Sequence, residues 1–241
     1  MTYFEGFIVP VPEGNKETFT AHATKVADAL RGCGVRRQLE AWGSDLPEGK
    51  VTDFRKAVAA TPGETAVFAW FEYPDRAARD AANEKMMSDP GMSDIGMEAP
   101  FDAKRMILGG FQSVVEEGSP GGTFVDGIVV PVPNSRRDEY ARVAGHNAKI
   151  FREHGATRVV EALGDDVPRG EVTDFYRAVK ADDGETVAFS FIEWPSKAHR
   201  DEAWNKIMQD DRMEHGGDLF DGKRMFWGGF EPVIDTGRQS A

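Results

Sequence analysis

Glu40 and Trp42 stand two residues apart in a run with strand-like alternation, so they share one face with Arg36 and Gln38. Arg37, Leu39 and Ala41 share the other face. A carboxyl set beside an indole on a partly apolar face loses solvation of its charged form. Its pKa rises, which suits it to act as a general base. The pattern returns with Glu161, on a face with Thr157, Val159 and Leu163. The alternative for both acids is an ion pair with an arginine across the sheet. A second pair of acids, Asp53 and Asp174, sits in two copies of Val-Thr-Asp-Phe. Each is either a base or ligand contact, or a structural side chain that binds turn amides or meets Lys104 and Arg105. Arg105 and Arg224 offer the planar fork that grips a carboxylate bidentately, with an internal ion pair as the competing use. Glu40 and Asp53 are therefore the candidate catalytic acids. Trp42, Arg55, Arg105, Glu161, Asp174 and Arg224 are the candidate ligand contacts.

Other chemistries find less to work with. The five histidines, His22, His146, His154, His199 and His215, occupy no corresponding positions in the two halves. His146 and His154 are too far apart for a helical ligand pair, so no metal is expected, and no cofactor. Cys33 is the single cysteine, which excludes an intramolecular disulfide. Gly109-Gly110-Phe111 and Gly228-Gly229-Phe230 lie within strand-like runs. Glycines there mark a bulge or a close backbone approach, whereas a phosphate cradle would precede a helix.

These residues are positioned by a duplication. Gly127 follows Gly6 by 121 residues, and Gly155 follows Gly34, and Asp174 follows Asp53, by the same offset. From Phe101 and Phe220 onward the offset is 119, so two residues are missing from the second copy. The gap falls in a Gly- and Asp-rich stretch, as expected of a loop at 88–103. Each copy opens with a β-rich run, Tyr3 to Val9 in the first, closed by Pro10 and Pro12. Helical spacing of Phe19, Ala23, Val26, Ala27 and Leu30 predicts a helix over 16–31. Strands follow at about 36–42, 51–58 and 66–73. Asp75 and Ser196 are natural caps for a second helix, and a last strand covers 104–114. The order is βαβββαβ, or βαββαβ with one extra strand: an α+β unit with helices on one face of a mostly antiparallel sheet. The first repeat spans 1–117, the linker 118–123, the second repeat 124–236, and 237–241 is a flexible tail. A linker this short keeps the units together. Packing them about a pseudo-twofold axis buries the sheet faces each would leave open.

The net charge of −12 argues against nucleic acid, which is bound through Lys and Arg contacts to phosphate. Arg36-Arg37 and Arg136-Arg137 read as solvated or strand-end charges. Met1 to Pro12 lack the layout of a signal sequence, and no apolar run reaches membrane-span length. The expected location is cytoplasmic, with no membrane partner.

The doubled block Glu-x-Trp-x-x-Asp-x-Pro-x-Gly-x-Val-Thr-Asp-Phe-x-x-Ala-Val carries a resemblance. So do the run from Arg79 to Met87 and the block Phe101-Asp102-x-Lys104-Arg105-Met106-x-x-Gly109-Gly110-Phe111. Together they resemble the domain of unknown function family 1428, the YbaA-like proteins of bacteria. The second copy departs from the pattern with Leu163 in place of Trp42, and it has Tyr176 in place of Arg55. The resemblance implies two ferredoxin-like units packed as a pseudo-dimeric α/β barrel, fused in one chain, with further pairing into a homodimer open. It implies no agreed reaction. The aromatic content suits a cavity between sheet and helices for a small, partly apolar organic molecule. The alternatives are a cofactor-independent oxygenase or isomerase acting on such a molecule, and a protein-interaction module without catalysis.

Overall fold

A computed structural model describes residues 1–214, 216–217 and 219–237. The expected tail falls almost wholly outside these residues, as does His215. The first repeat runs β1 (Tyr3–Pro12), α1 (Lys16–Ala29), β2 (Arg37–Asp45), α2 (Phe54–Ala57), β3 (Glu64–Tyr73), α3 (Arg76–Ser88), α4 (Pro90–Met97) and β4 (Ile107–Gly118). The second runs β5 (Phe124–Pro133), α5 (Arg137–Glu153), β6 (Arg158–Asp166), α6 (Phe175–Ala178), β7 (Glu185–Trp194), α7 (Lys197–Ile207) and β8 (Phe226–Asp235). All pairings are antiparallel and close into a barrel ordered β1-β3-β2-β8-β5-β7-β6-β4. Each repeat is thus βαββαβ, a ferredoxin-like unit. The seams between units are β2 with β8 and β4 with β6.

Three local expectations change. The run 51–58 is not a strand. Asp53 Oδ1 accepts the Lys56 amide at 2.8 Å and caps a short helix. Phe54, Ala57 and Val58 are all buried at i, i+3 and i+4, a helical spacing. Second, 88–103 is not all loop. Asp89 accepts the Gly91 amide, and Pro90 occupies the first turn of α4, where its missing N–H costs nothing. Third, Pro10 lies inside β1, which ends only at Pro12. Beyond Ile8 the strand pairs only with β3, so the prolines sit where the other edge is free.

The barrel interior is filled. Phe68 stacks on Phe189 at 4.6 Å and Trp70 on Phe191 at 3.9 Å, pairing equivalent residues across the pseudo-twofold axis. The Val-Thr-Asp-Phe motifs plug one end. Thr52 Oγ1 donates to the Ala178 carbonyl at 2.6 Å, and Thr173 Oγ1 donates to the Ala57 carbonyl at 2.8 Å, each crossing between repeats. Phe54 packs edge-on against Phe226 and Phe230, and Phe175 against Phe111.

The other end is closed by charge. Arg37 Nη1 and Nη2 bind Glu193 at 2.7 and 2.9 Å, and Arg158 Nη1 binds Glu72 at 2.7 Å. Arg37 also bonds Asp235, and Arg158 reaches Glu116, its counterpart. Arg37 is only 3 % exposed, so it is a buried clamp between repeats, not a solvated strand-end charge.

The paired strand glycines serve close approach. A Cβ at Gly110 would lie 2.2 Å from the Tyr3 hydroxyl, and one at Gly229 would lie 2.7 Å from the Phe124 ring. Gly110→Ala is expected to lower stability by about 1–3 kcal/mol, the range for overpacking a filled site, read as a lower urea midpoint.

Candidate functional site

With the interior filled, space for a ligand lies between the outer sheet face and the helices. Glu40 projects from β2 toward α1, on the face expected. It lines a cavity of about 150 Å³ with Phe19, His22, Phe71, Phe101 and Met106. Glu40 is 8 % exposed, and its side-chain hydrogen bond comes from Gln38 Nε2, at 2.6 Å. Burial among aromatic rings pushes its pKa from 4.5 up to about 7, against the lowering effect of Gln38. His22, half-buried against the edge of Phe101, is held below its usual pKa by burial and then by Lys25.

The equivalent acid in the second repeat is engaged by hydroxyls. Glu161 accepts the Tyr140 hydroxyl at 2.7 Å, and the Ser190 hydroxyl lies closer still. Phe19 and Ala69 occupy those two positions in the first repeat. The difference is two hydroxyl groups: Glu161 takes both on Oε2, whereas Glu40 has neither and lines a cavity. Burial also raises the pKa of Glu161, with Ser190 and Tyr140 opposing. Neither acid takes the cross-sheet arginine considered from sequence; an amide and two hydroxyls serve instead.

The other sequence candidates stand elsewhere. Trp42 packs beside Phe19 with ring centroids 6.0 Å apart, behind the cavity wall. Asp53 and Asp174 cap α2 and α6 at the plugged barrel end. Burial alone would raise the Asp53 pKa, but the Lys56 amide and ammonium and the Gly49 amide hold it below the usual range. Arg105 binds Glu64 bidentately at 2.6 and 2.9 Å, with Nε on Asp102 and Nη1 also on the Ala59 carbonyl. Arg224 repeats this with Glu185, Asp221 and the Lys180 carbonyl. Ala59 and Lys180 both have positive φ, so these arginines brace strained turns. Arg55 is exposed and donates to the Leu46 carbonyl. Tyr176 instead lies under Arg169, 4.2 Å from ring centroid to guanidinium.

Phe19, His22 and Phe101 are site residues that the strand alternation does not single out, whereas it places Gln38 on the face of Glu40. The available signal was the pair of exchanges Phe19 for Tyr140 and Ala69 for Ser190. It becomes readable once both positions are known to face the same acid.

A carboxyl with a raised pKa leaves a mark on stability. Between about pH 4.5 and 7 the unfolded chain has ionised at Glu40 while the folded protein still holds the proton. Stability contributed by this group therefore falls as pH rises through that window and is level above it. Glu40→Gln removes the effect. The variant is expected to gain on the order of 3 kcal/mol relative to the parent between pH 4.5 and pH 8, measured as the pH dependence of the difference in urea unfolding free energy.

Among the described residues no helix is long and apolar enough to cross a membrane, and no cluster of three or more His, Cys, Asp or Glu could hold a metal ion. The overall fold is similar to that of a Fusobacterium nucleatum protein described as a "Putative monooxygenase", with TM-score 0.61, 11% identity and coverage of 97% of this chain and 93% of that one. It is also similar to an anthrone oxidase-like protein, with TM-score 0.56, 10% identity and coverage of 100% and 96%. At these identities the likeness concerns the barrel fold alone. In sequence, the chain is 51% identical over 117 residues to the protein YbaA of Escherichia coli K12, covering 48% of this chain and all of the relative. Residues 2–103 and 123–222 each match the family described as "Protein of unknown function (DUF1428)". The chain belongs to that family and carries two copies of it in tandem.

Proposed function

We propose that the first repeat binds a small, partly apolar organic molecule in the Glu40 cavity, and that the second repeat has become its structural support. The observation that carries this reading is the acid left without hydroxyl donors on an aromatic wall, beside an equivalent acid that has both. A cavity of about 150 Å³ is of the size that holds one benzene-sized ring. A phenol or enol fits: its ring meets Phe19, Phe71 and Phe101, and its hydroxyl donates to Glu40. The six other candidates from sequence keep only supporting roles in this reading, with Trp42 backing Phe19.

The test is calorimetric titration with phenol at pH 8, where Glu40 is mostly ionised. Saturable one-to-one binding is expected, weakened about tenfold in Glu40→Gln, since a charge-assisted hydrogen bond becomes a neutral one. No saturable heat, or equal affinity in the variant, would overturn the reading.

The raised pKa of Glu40 supports a second reading. An acid titrating near neutrality is matched to abstracting a proton from such a ring or enol, the first step of a cofactor-independent oxygenase or isomerase. The division into repeats at 118–123, a cytoplasmic location and the lack of a nucleic-acid partner are parts of the same proposal. The short β4–β5 connection supports the first of these, and the net charge of −12 the last. A fused pair that already closes its own barrel has no need of a second chain for its core, although homodimerisation through another surface is compatible with it.

A further inference from the structure

A larger groove lies in the second repeat, between α7 and strands β5 and β8. Its volume is about 510 Å³, within the usual range of small-molecule sites. The walls are Ile128, Trp204, Met208, Met225 and Trp227, and the floor is the ion pair of Asp126 with Arg200. Met208 is 75% exposed and Trp227 41%.

That ion pair fixes the walls. Asp126 is 1% exposed and accepts Arg200 Nε at 2.8 Å, Trp194 Nε1 at 2.9 Å and Trp204 Nε1 at 2.8 Å. The Trp204 indole is therefore pinned by its N–H. The Arg200 guanidinium sits 5.7 Å from the centroid of Trp227 and 5.7 Å from that of Phe124. Its Nη1 is taken by Asp45 and Asp201, and its Nη2 is buried without a hydrogen-bond partner. The Trp204 indole is thus held in place and the Trp227 indole lies against the guanidinium, one nitrogen of which has no hydrogen-bond partner.

The first repeat has the same scaffold without the aromatic walls. Arg79 pairs with Glu5, which also accepts from Asn83. Asn83 and Leu108 stand where the second repeat has Trp204 and Trp227. The first repeat also carries α4 after α3, whereas the described residues after α7 form turns and coil up to β8. Among the described residues, the two-indole wall belongs to the second repeat.

We infer that this groove is a second binding site, for a flat, uncharged aromatic molecule of two or three rings. The pinned Trp204 indole and the apolar wall around it supply contact area, and the Asp126–Arg200 pair leaves the floor without net charge to hold an ionic group. The site is separate from the Glu40 cavity and does not depend on it.

The probe is N-phenyl-1-naphthylamine, neutral and fluorescent in apolar surroundings, titrated into the full chain. Saturable one-to-one binding is expected. Met208→Glu, which places a carboxylate on an exposed part of the wall, should weaken it about tenfold, equivalent to ~1.4 kcal/mol. Met87→Glu, at the equivalent exposed position of the first repeat, should leave it unchanged, and so should Glu40→Gln. Equal weakening by Met87→Glu and Met208→Glu, or an absence of saturable binding, would overturn the assignment. So would a homodimer in native mass spectra that Met208→Glu dissolves, which would make the face an interface between copies.

Discussion

Replacing Arg37 by methionine is expected to lower the unfolding free energy by about 3–5 kcal/mol, the range for removing one partner of a buried ion pair. The guanidinium is 3% exposed and holds Glu193 and Asp235 of the other repeat. Without it, two carboxylates at the barrel end lose a charged partner in a site closed to solvent. Exposed ion pairs, such as Lys25 with Glu98, are worth far less because water screens them. The contrast gives an internal control: Lys25→Met should shift the urea midpoint little. The double variant Arg37→Met with Glu193→Met should recover part of the loss, because an apolar pair avoids the unpaired charge. Recovery would identify the penalty as electrostatic, whereas a double variant worse than the single would point to packing around Trp70, which lies 5.9 Å from Arg37.

The second large effect concerns the difference between repeats. Phe19→Tyr with Ala69→Ser writes the second repeat's hydroxyls into the first. The new donors should reach Glu40 as Tyr140 and Ser190 reach Glu161. Binding of phenol should disappear, and stability at pH 8 should rise by about 1–3 kcal/mol, since hydrogen bonds to a buried carboxylate are the stronger kind. The reverse exchange, Tyr140→Phe with Ser190→Ala, should cost a similar amount and leave Glu161 facing open space. Calorimetry with phenol reads the first effect and urea unfolding the second. Retained phenol affinity in the Phe19→Tyr, Ala69→Ser variant would place the ligand elsewhere.

The architecture was legible because the chain states it twice. The constant offset and the turn glycines mark two copies of one α+β unit, and the family resemblance implies their packing as a barrel. The Val-Thr-Asp-Phe run was harder to read. Its β-branched and aromatic residues suggest a strand, and the helix is decided by Asp53 capping and by the threonine bonds between repeats. Arg37 could not be recognised as buried from its own repeat, since its partners Glu193 and Asp235 lie more than 150 residues away. Glu40 was readable as an acid on a partly apolar face. Its openness was not, because that depends on what α1 and β3 place opposite it. The differences first noticed, Trp42 to Leu163 and Arg55 to Tyr176, lie beside the site or at the other end of the barrel.

The central claim is that Glu40 is a titratable acid lining a ligand cavity while Glu161 is engaged by two hydroxyls. Carbon-detected NMR of the glutamate side-chain carboxyls, assigned with Glu40→Gln and Glu161→Gln, tests it most directly. The predicted Glu40 midpoint is about pH 7, and adding phenol should move its resonance while leaving that of Glu161 in place. A Glu40 midpoint near the ordinary 4.5, with a resonance indifferent to phenol, would contradict the account.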